Sequence, residues 1–377
     1  MKNLTIISHT EHYLREDGVI VGLVSTITEI NELLNIFDTI THVAMFHSDT
    51  APLNTAAYSS NRIKFVPIPA LGGPNFADKL SVLFNAPSIL KTVHRSLKNA
   101  NFFQFRAPTG IGVFIIPYLL FFRRKHKGWF KYAGNWKQQH APIGYRFQRW
   151  LLTHQDKIVT INGVWEDQPK QCLSFENPCL LSEEIKNGIT IRDHKNLTFP
   201  LELCFVGRIE PEKGIDLILE ALGALKAHEA SKISVVHFIG TSDQINSYIE
   251  RAKSLAVTCR FHGMLSRSKV HAIYAKAHAI LLPSKSEGFP KVIAEALNYG
   301  CLPIVANVSS IGQVITDGKN GFLLEKNSPN EVHNQLLRLL SLTSKAYRLL
   351  IHNNHVSPEI FSYYHYNKRL MRCVMNN

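Results

Sequence analysis

The sequence predicts a layered α/β protein built from two similar halves, and three observations carry that expectation. Short apolar runs of strand character alternate with stretches whose apolar residues recur every three to four positions. Many of the runs stop at a Gly, a Pro or a charged residue, as buried strands do on leaving a sheet. The chain has 377 residues, 45% of them hydrophobic. That is too much for one ordinary core, so two domains are expected.

In the first half, residues 4–8 read as a strand. Residues 19–37 read as a helix, with Leu23, Ile27, Ile30, Leu33, Leu34 and Phe37 at helical spacing. Residues 41–46 and 63–67 are further strands. A helical stretch opens with Leu80, Leu83 and Phe84, is interrupted at Pro87 and resumes over 89–97. Residues 102–105 form a strand ending at Arg106. The longest apolar run, 111–122, has twelve residues and contains Gly112 and Pro117. A bilayer crossing needs about 20, so this run reads as a buried strand and turn, or as a segment lying against a surface. Residues 157–162 make another strand.

The second half repeats the pattern more plainly. Strands are expected at 201–206, 233–239, 257–261, 279–282, 302–306 and 321–324, and helices at 215–225, 269–277, 291–297 and 329–350. The polar stretch 179–200 reads as a linker between a first domain at 1–178 and a second at 201–356. Residues 357–377, with Tyr363, Tyr364, Tyr366, Leu370, Met371 and Val374, read as a helix crossing back to the first domain.

The formal charge of +13 is concentrated. The 77 residues 79–155 contain thirteen Lys or Arg and no carboxylate; the rest of the chain holds 29 basic and 29 acidic residues. Tyr118, Phe121, Phe122, Trp129, Phe130 and Tyr132 alternate there with Arg123, Arg124, Lys125, Lys127 and Lys131. That mixture suits the headgroup layer of an anionic membrane or a lipid diphosphate. It also fits single-stranded nucleic acid, a small polyanion, or a solvated basic face beside buried rings. No nucleic-acid reading module accompanies it, so nucleic acid is not expected as a partner. The six cysteines form no C-x-x-C pair and point to a reducing compartment. The apolar start, broken at Thr5, is too short for a signal peptide.

Three motifs in the second half bear chemistry. The stretch 205–214, Phe-Val-Gly-Arg-Ile-Glu-Pro-Glu-Lys-Gly, sets Arg208 and Lys213 beside a helix start, with Gly207 allowing a close turn. Two cations there can seat a phosphate or diphosphate, although a strand–loop–helix join with surface cations is also ordinary. The stretch 283–295 places Glu287 in a loop shaped by Gly288 and Pro290, and Glu295 on the next helix. Backbone N–H groups of Phe289 and of 291–293 are expected to be free for an anion. Glu287 can accept from sugar hydroxyls and Glu295 from those of a ribose, or Glu295 simply patterns an exposed helix face with Lys291. The third motif, Asp317-Gly-Lys-Asn-Gly321, reads as a tight turn. His9, His237, His262 and His271 fall near strand ends or a helix start and read as structural, His262 with a possible place near a bound base.

Gly-Arg-x4-Lys-Gly, Ser-Glu-Gly-Phe-Pro-x4-Glu-Ala and Asp-Gly-x-x-Gly follow one another in this order, each at a strand end or in the next loop. The combination resembles the retaining glycosyltransferases of family 4. The resemblance is strong over 201–324 and looser over 6–178, where Asp17-Gly18, Gln104-Phe-Arg106 and Asn162-Gly163 look like bacterial surface-polysaccharide glycosyltransferases. It implies the GT-B fold, two Rossmann-like domains facing across a cleft, with acceptor in the first and nucleotide-sugar in the second. By this resemblance Arg208, Lys213 and Glu287 are the catalytic set. Gly18, Gly207, Gly263, Gly288, Phe289, Pro290, Lys291 and Glu295 surround the donor.

Two departures stand out. Relatives place a His near the reacting sugar where this chain has Arg106, which stays protonated and can contact acceptor or phosphate but cannot act as a base. Relatives also have Pro-Glu where this chain has Gly312-Gln313. The implied activity is hexosyl transfer from a nucleotide-sugar, with a UDP-sugar expected, to a lipid-diphosphate-linked saccharide in surface polysaccharide synthesis. The implied place is cytoplasmic, on the inner membrane face. No metal or other cofactor is expected, and no oligomeric state follows. An epimerase or phosphorylase on the same architecture, or a non-catalytic sugar-binding scaffold, are the alternatives.

Overall fold

Parallel strands joined by helices dominate both halves of the chain. The structure, a computed structural model, describes residues 1–73, 76–353 and 356–375. Two units are distinct: Met1–Asn177 together with the chain from Tyr363 onward, and Pro178–Ser362.

In the first unit the strands are β1 (Asn3–Leu14), β2 (Ile20–Leu23), β3 (Thr39–His47), β4 (Thr55–Ala57), β5 (Ile63–Pro69), β6 (Phe102–Ala107), β7 (Lys127–Tyr132), β8 (Val159–Ile161) and β9 (Cys172–Ser174). Their parallel pairing runs β5-β3-β1-β6-β7-β8-β9. Buried Ile7, Val43, Phe103, Phe105, Phe130 and Ile161 pack from this sheet against Ile89, Val93 and Leu97 of the helix Ala86–Leu97. The terminal helix Tyr363–Leu370 belongs to the same unit. Its Tyr366 and Leu370 are buried with Leu4, Ile30, Leu33 and Trp129, and Asn367 donates to Glu32 O at 2.7 Å.

Three expectations are corrected here. Residues 19–37 are not one helix: 20–23 form β2, antiparallel to the outer end of β1, and only Val24–Leu33 is helical. The run 111–122 is helical, Gly112–Pro117 followed by a wider turn at Tyr118–Phe122, because Ile111, Ile115, Ile116 and Leu119 share one buried face. Trp129, Phe130, Lys131 and Tyr132 form no surface. They are the buried inner strand β7, between β6 and β8. Lys131 tolerates burial because its Nζ lies 2.5 Å from Glu29 Oε1, and the same oxygen is 2.5 Å from Arg106 Nη2.

The second unit holds β10 (Leu201–Val206), β11 (Ile233–Ile239), β12 (Cys259–Phe261), β13 (Ala279–Leu282), β14 (Leu302–Ala306) and β15 (Phe322–Leu324). All pair in parallel in the order β12-β11-β10-β13-β14-β15. Every residue of β13 and β14 is buried, as a sheet covered on both faces requires. The stretch 179–200, expected as a linker, instead carries the helix Ser182–His194 and is part of this unit. Glu184 and Lys195 tie it there. Lys195 Nζ donates to the carbonyls of Tyr274, Ala277 and Tyr299 at 2.9, 2.6 and 2.9 Å, filling carbonyls that two helix ends leave unpaired.

Candidate functional site

The strand order of the second sheet reverses between β10 and β13, since the chain proceeds outward from β10 to β12 on one side and from β13 to β15 on the other. In sheets of this kind ligands bind outside the carboxyl ends of the strands at such a point. The loop after β10 holds Gly207, Arg208 and Lys213. The loop after β13 holds Glu287, Gly288, Phe289 and Pro290.

The two loops meet. Lys285 N donates to Glu212 O at 2.9 Å, and Lys213 Nζ donates to Glu287 Oε1 at 2.5 Å. Lys213 and Glu287 are 20% and 10% exposed, so their charges face each other with little water between them, where Coulomb attraction is strong. Gly214 makes this approach possible. Its φ of +81° opens the helix Ile215–Gly223, and a Cβ there would lie 2.3 Å from Pro283 O. A Cβ on Gly240, after β11, would lie 1.8 Å from Gly207 O, so a third strand end also closes on this point.

The other expected residues are placed differently. Arg208 shares the loop of Lys213 but is 71% exposed and pairs with Glu210 at 3.1 Å. Glu295 does not pattern an exposed face. It is buried, with Arg267 Nη1 at 3.4 Å and the Tyr274 hydroxyl donating to it at 3.3 Å. Arg267 also donates to both oxygens of Glu184, at 2.7 and 2.6 Å. Pro290 caps the helix Lys291–Asn298, and Ile293 N–H, expected free, donates to Pro290 O at 3.1 Å. Phe289 is stacked flat on Phe361, ring centres 5.1 Å apart, and Gly288 O accepts from Ser310 Oγ. Gly263 follows β12, its carbonyl accepting from Gly240 N at 2.9 Å. Before it, His262 bonds His237 at 2.9 Å, and His237 reaches Glu202 at 3.2 Å. Burial, then the nearby His237 and Arg260, lower the His262 pKa.

In the first unit, Gly18 lies in the turn of the β1–β2 hairpin, bracketed by the Arg15–Asp17 pair, and not at a strand-to-helix junction. Arg106 leaves β6 and is bound by Glu29, by Thr26 Oγ1 at 3.3 Å and by Gln104 Oε1 at 3.2 Å. Its guanidinium is held within this unit, but Glu29 also faces Lys131, so the three side chains together keep one net positive charge.

A cavity of about 810 Å³ in the same unit went unread in the sequence. His9, Glu11, His47 and Thr109 line it with Met45, Val82 and Tyr145, and Gly72 and Gly110 leave room around the His9 ring. Buried His9 Nε2, His47 Nε2 and Thr109 Oγ1 have no hydrogen-bond partner among the described residues. The His9 pKa is lowered to about 4 by burial and then by His47. The available signal was Ser8-His9, in the middle of β1, which is too common to be specific.

Comparison with known proteins bears on the second unit first. Residues 189–354 match the family model described as glycosyl transferases group 1. An uncharacterized glycosyltransferase of Methanocaldococcus jannaschii is 25% identical over 201 residues, covering 52% of this chain and 53% of that protein. The chain spans about half the length of the curated relatives it matches. Among solved structures, Anabaena HepE in complex with UDP-glucose aligns over 100% of both chains with a TM-score of 0.72 at 12% identity. The lipopolysaccharide outer core galactosyltransferase WaaB aligns over 98% of this chain and 99% of its own, with a TM-score of 0.62 at 15% identity. Residues 189–354 thus form a glycosyl transferases group 1 domain, and the chain has the GT-B fold of two Rossmann-like domains.

Proposed function

We propose that this protein is a retaining hexosyltransferase that moves a sugar from a UDP-sugar to a lipid-diphosphate-linked saccharide during surface polysaccharide synthesis. One observation carries the reading: the Lys213–Glu287 pair at the point where the second sheet's strand order reverses. A departing nucleoside diphosphate gains negative charge, and a cation fixed in advance lowers that cost without reorganisation. Lys213 takes this role, and Arg208 swings from Glu210 onto the diphosphate. Glu287 accepts from hydroxyls of the donor sugar. Glu295, held by Arg267, accepts from the ribose. Gly207, Gly263, Gly288, Phe289, Pro290 and Lys291 give the donor its backbone walls. Two cations make a divalent metal unnecessary for the leaving group.

The cavity at His9 and His47 takes the accepting sugar. Among the described residues its lining has no Lys or Arg, and its carboxylate, Glu11, can accept from the hydroxyls of a neutral ring. HepE, crystallised with UDP-glucose, and WaaB, a lipopolysaccharide galactosyltransferase, support the choice of donor and pathway class. We place the enzyme at the cytoplasmic face of the membrane, where such an acceptor is anchored. The test is a transfer assay with UDP-glucose, UDP-galactose and their N-acetyl forms against a bacterial lipid-linked saccharide fraction, with the product anomer read by NMR. An α-linked product that requires the acceptor supports the reading. Conversion of donor without acceptor would make the protein an epimerase, and inversion would remove the retaining assignment.

A further inference from the structure

The helix Ile143–Thr153 turns an apolar stripe to water. Ile143, Phe147 and Trp150, at helical positions i, i+4 and i+7, are 83%, 40% and 55% exposed, while Gln148, Leu151 and Leu152 face the interior. The rings of Phe147 and Trp150 stack with centroids 6.3 Å apart. They line an open groove of about 1010 Å³ with Trp136, Lys137, Arg146 and Arg149. Arg149 is committed internally, donating to Trp136 O at 2.6 Å and to Gln138 O, and Lys137 pairs with Asp167, the carboxylate lining this groove. Arg146 stands exposed on the helix itself.

A soluble surface gains nothing from three large apolar side chains in one row, and such rows mark contact with a partner or a membrane. The surroundings choose between these. The helix ends a 77-residue segment without a carboxylate, whose Arg124, Lys125, Lys127 and Arg146 are exposed, and these cations favour an anionic surface. Ile143, the most exposed of the three, offers neither a stacking face nor a hydrogen bond to a nucleobase. An aliphatic side chain, a Phe and a Trp in register beside Arg is the pattern of a helix lying in the headgroup layer.

We infer that the helix Ile143–Thr153 is a membrane-docking element, with Ile143, Phe147 and Trp150 entering the headgroup layer of an anionic leaflet and Arg146 meeting lipid phosphates. The inference rests on the proposed membrane-side function for its purpose, and its test reads no sugar chemistry. Full-length wild type, I143S/F147S/W150S and R146E are sedimented with vesicles of phosphatidylcholine alone or with 30% phosphatidylglycerol, and tryptophan emission is recorded. Each variant is also titrated with UDP.

Wild type should pellet with the anionic vesicles and shift its emission to the blue. The triple variant should lose about tenfold in partitioning, and R146E should lose part of it. UDP binding should be unchanged in both, showing that the fold and donor site survive. Equal partitioning of wild type and triple variant overturns the inference, as does equal behaviour on neutral and anionic vesicles. Self-association of wild type that the triple variant abolishes, without lipid binding, assigns the stripe to a second copy and also overturns it. Vesicle binding without UDP binding leaves this inference standing and removes the transferase reading.

Discussion

Lys213 and Glu287 are 74 positions apart in sequence and share one hydrogen bond. On the proposed reading, each keeps the other's charge in place until a diphosphate and a sugar arrive. Lys213→Ala should lower kcat/KM for transfer by about 100-fold, the usual cost of deleting one preorganised charge at a developing anion. Glu287→Gln should act chiefly on the sugar, and circular dichroism should show both variants folded. A second residue-scale effect concerns acid. His12 is buried against Tyr58, which also bonds His42, and burial lowers its pKa from 6.5 to about 4. His9 has a similar value. The folded chain holds both neutral where the unfolded chain binds protons. Their contribution is therefore complete above pH 6.5 and is lost as pH falls toward 4, on the order of 3 kcal/mol for each. Melting temperatures between pH 7.5 and 4.5 should fall more gently for His12→Asn than for wild type; parallel curves would exclude His12 as a source.

At the scale of elements, the junction of two loops depends on Gly214. Gly214→Ala sets a Cβ against Pro283 O and forces a left-handed φ on alanine, so the β10 and β13 loops must separate. It should cost about 2 kcal/mol of stability and weaken UDP binding, whereas Gly223→Ala, with only a Leu255 contact at 3.3 Å, should be mild in a urea titration. The second sheet was readable because strands covered on both faces show as unbroken apolar runs, such as Ala279–Leu282. The motif order likewise singled out Lys213 and Glu287, which the fold joins by a hydrogen bond. In the first unit the signals were non-local. Lys131 looked like surface because its partner, Glu29, lies 102 positions away, and Glu295 looked exposed because Arg267 sits on a different helix. The β1–β2 hairpin did carry a local sign, Asp17-Gly18, which a motif-led reading absorbed into the donor's surroundings. The exposed stripe of Ile143–Thr153 was missed because its apolar spacing reads the same whether it is buried or wet.

Across the whole molecule, charge and chemistry are divided. The first unit carries the carboxylate-free segment, and the second carries the junction of the β10 and β13 loops at Lys213 and Glu287. If Lys213 and Arg208 supply the positive charge, as proposed, transfer in EDTA should proceed at the rate seen with magnesium; a loss beyond about tenfold would assign the leaving group to a metal. The central claim is that the donor's diphosphate binds beside Lys213. Calorimetric titration of UDP into wild type and Lys213→Ala tests it most directly. The account predicts one site per chain in wild type and an affinity about 100-fold weaker in the variant. Equal affinity in the two proteins, or no binding of UDP to wild type, would contradict it.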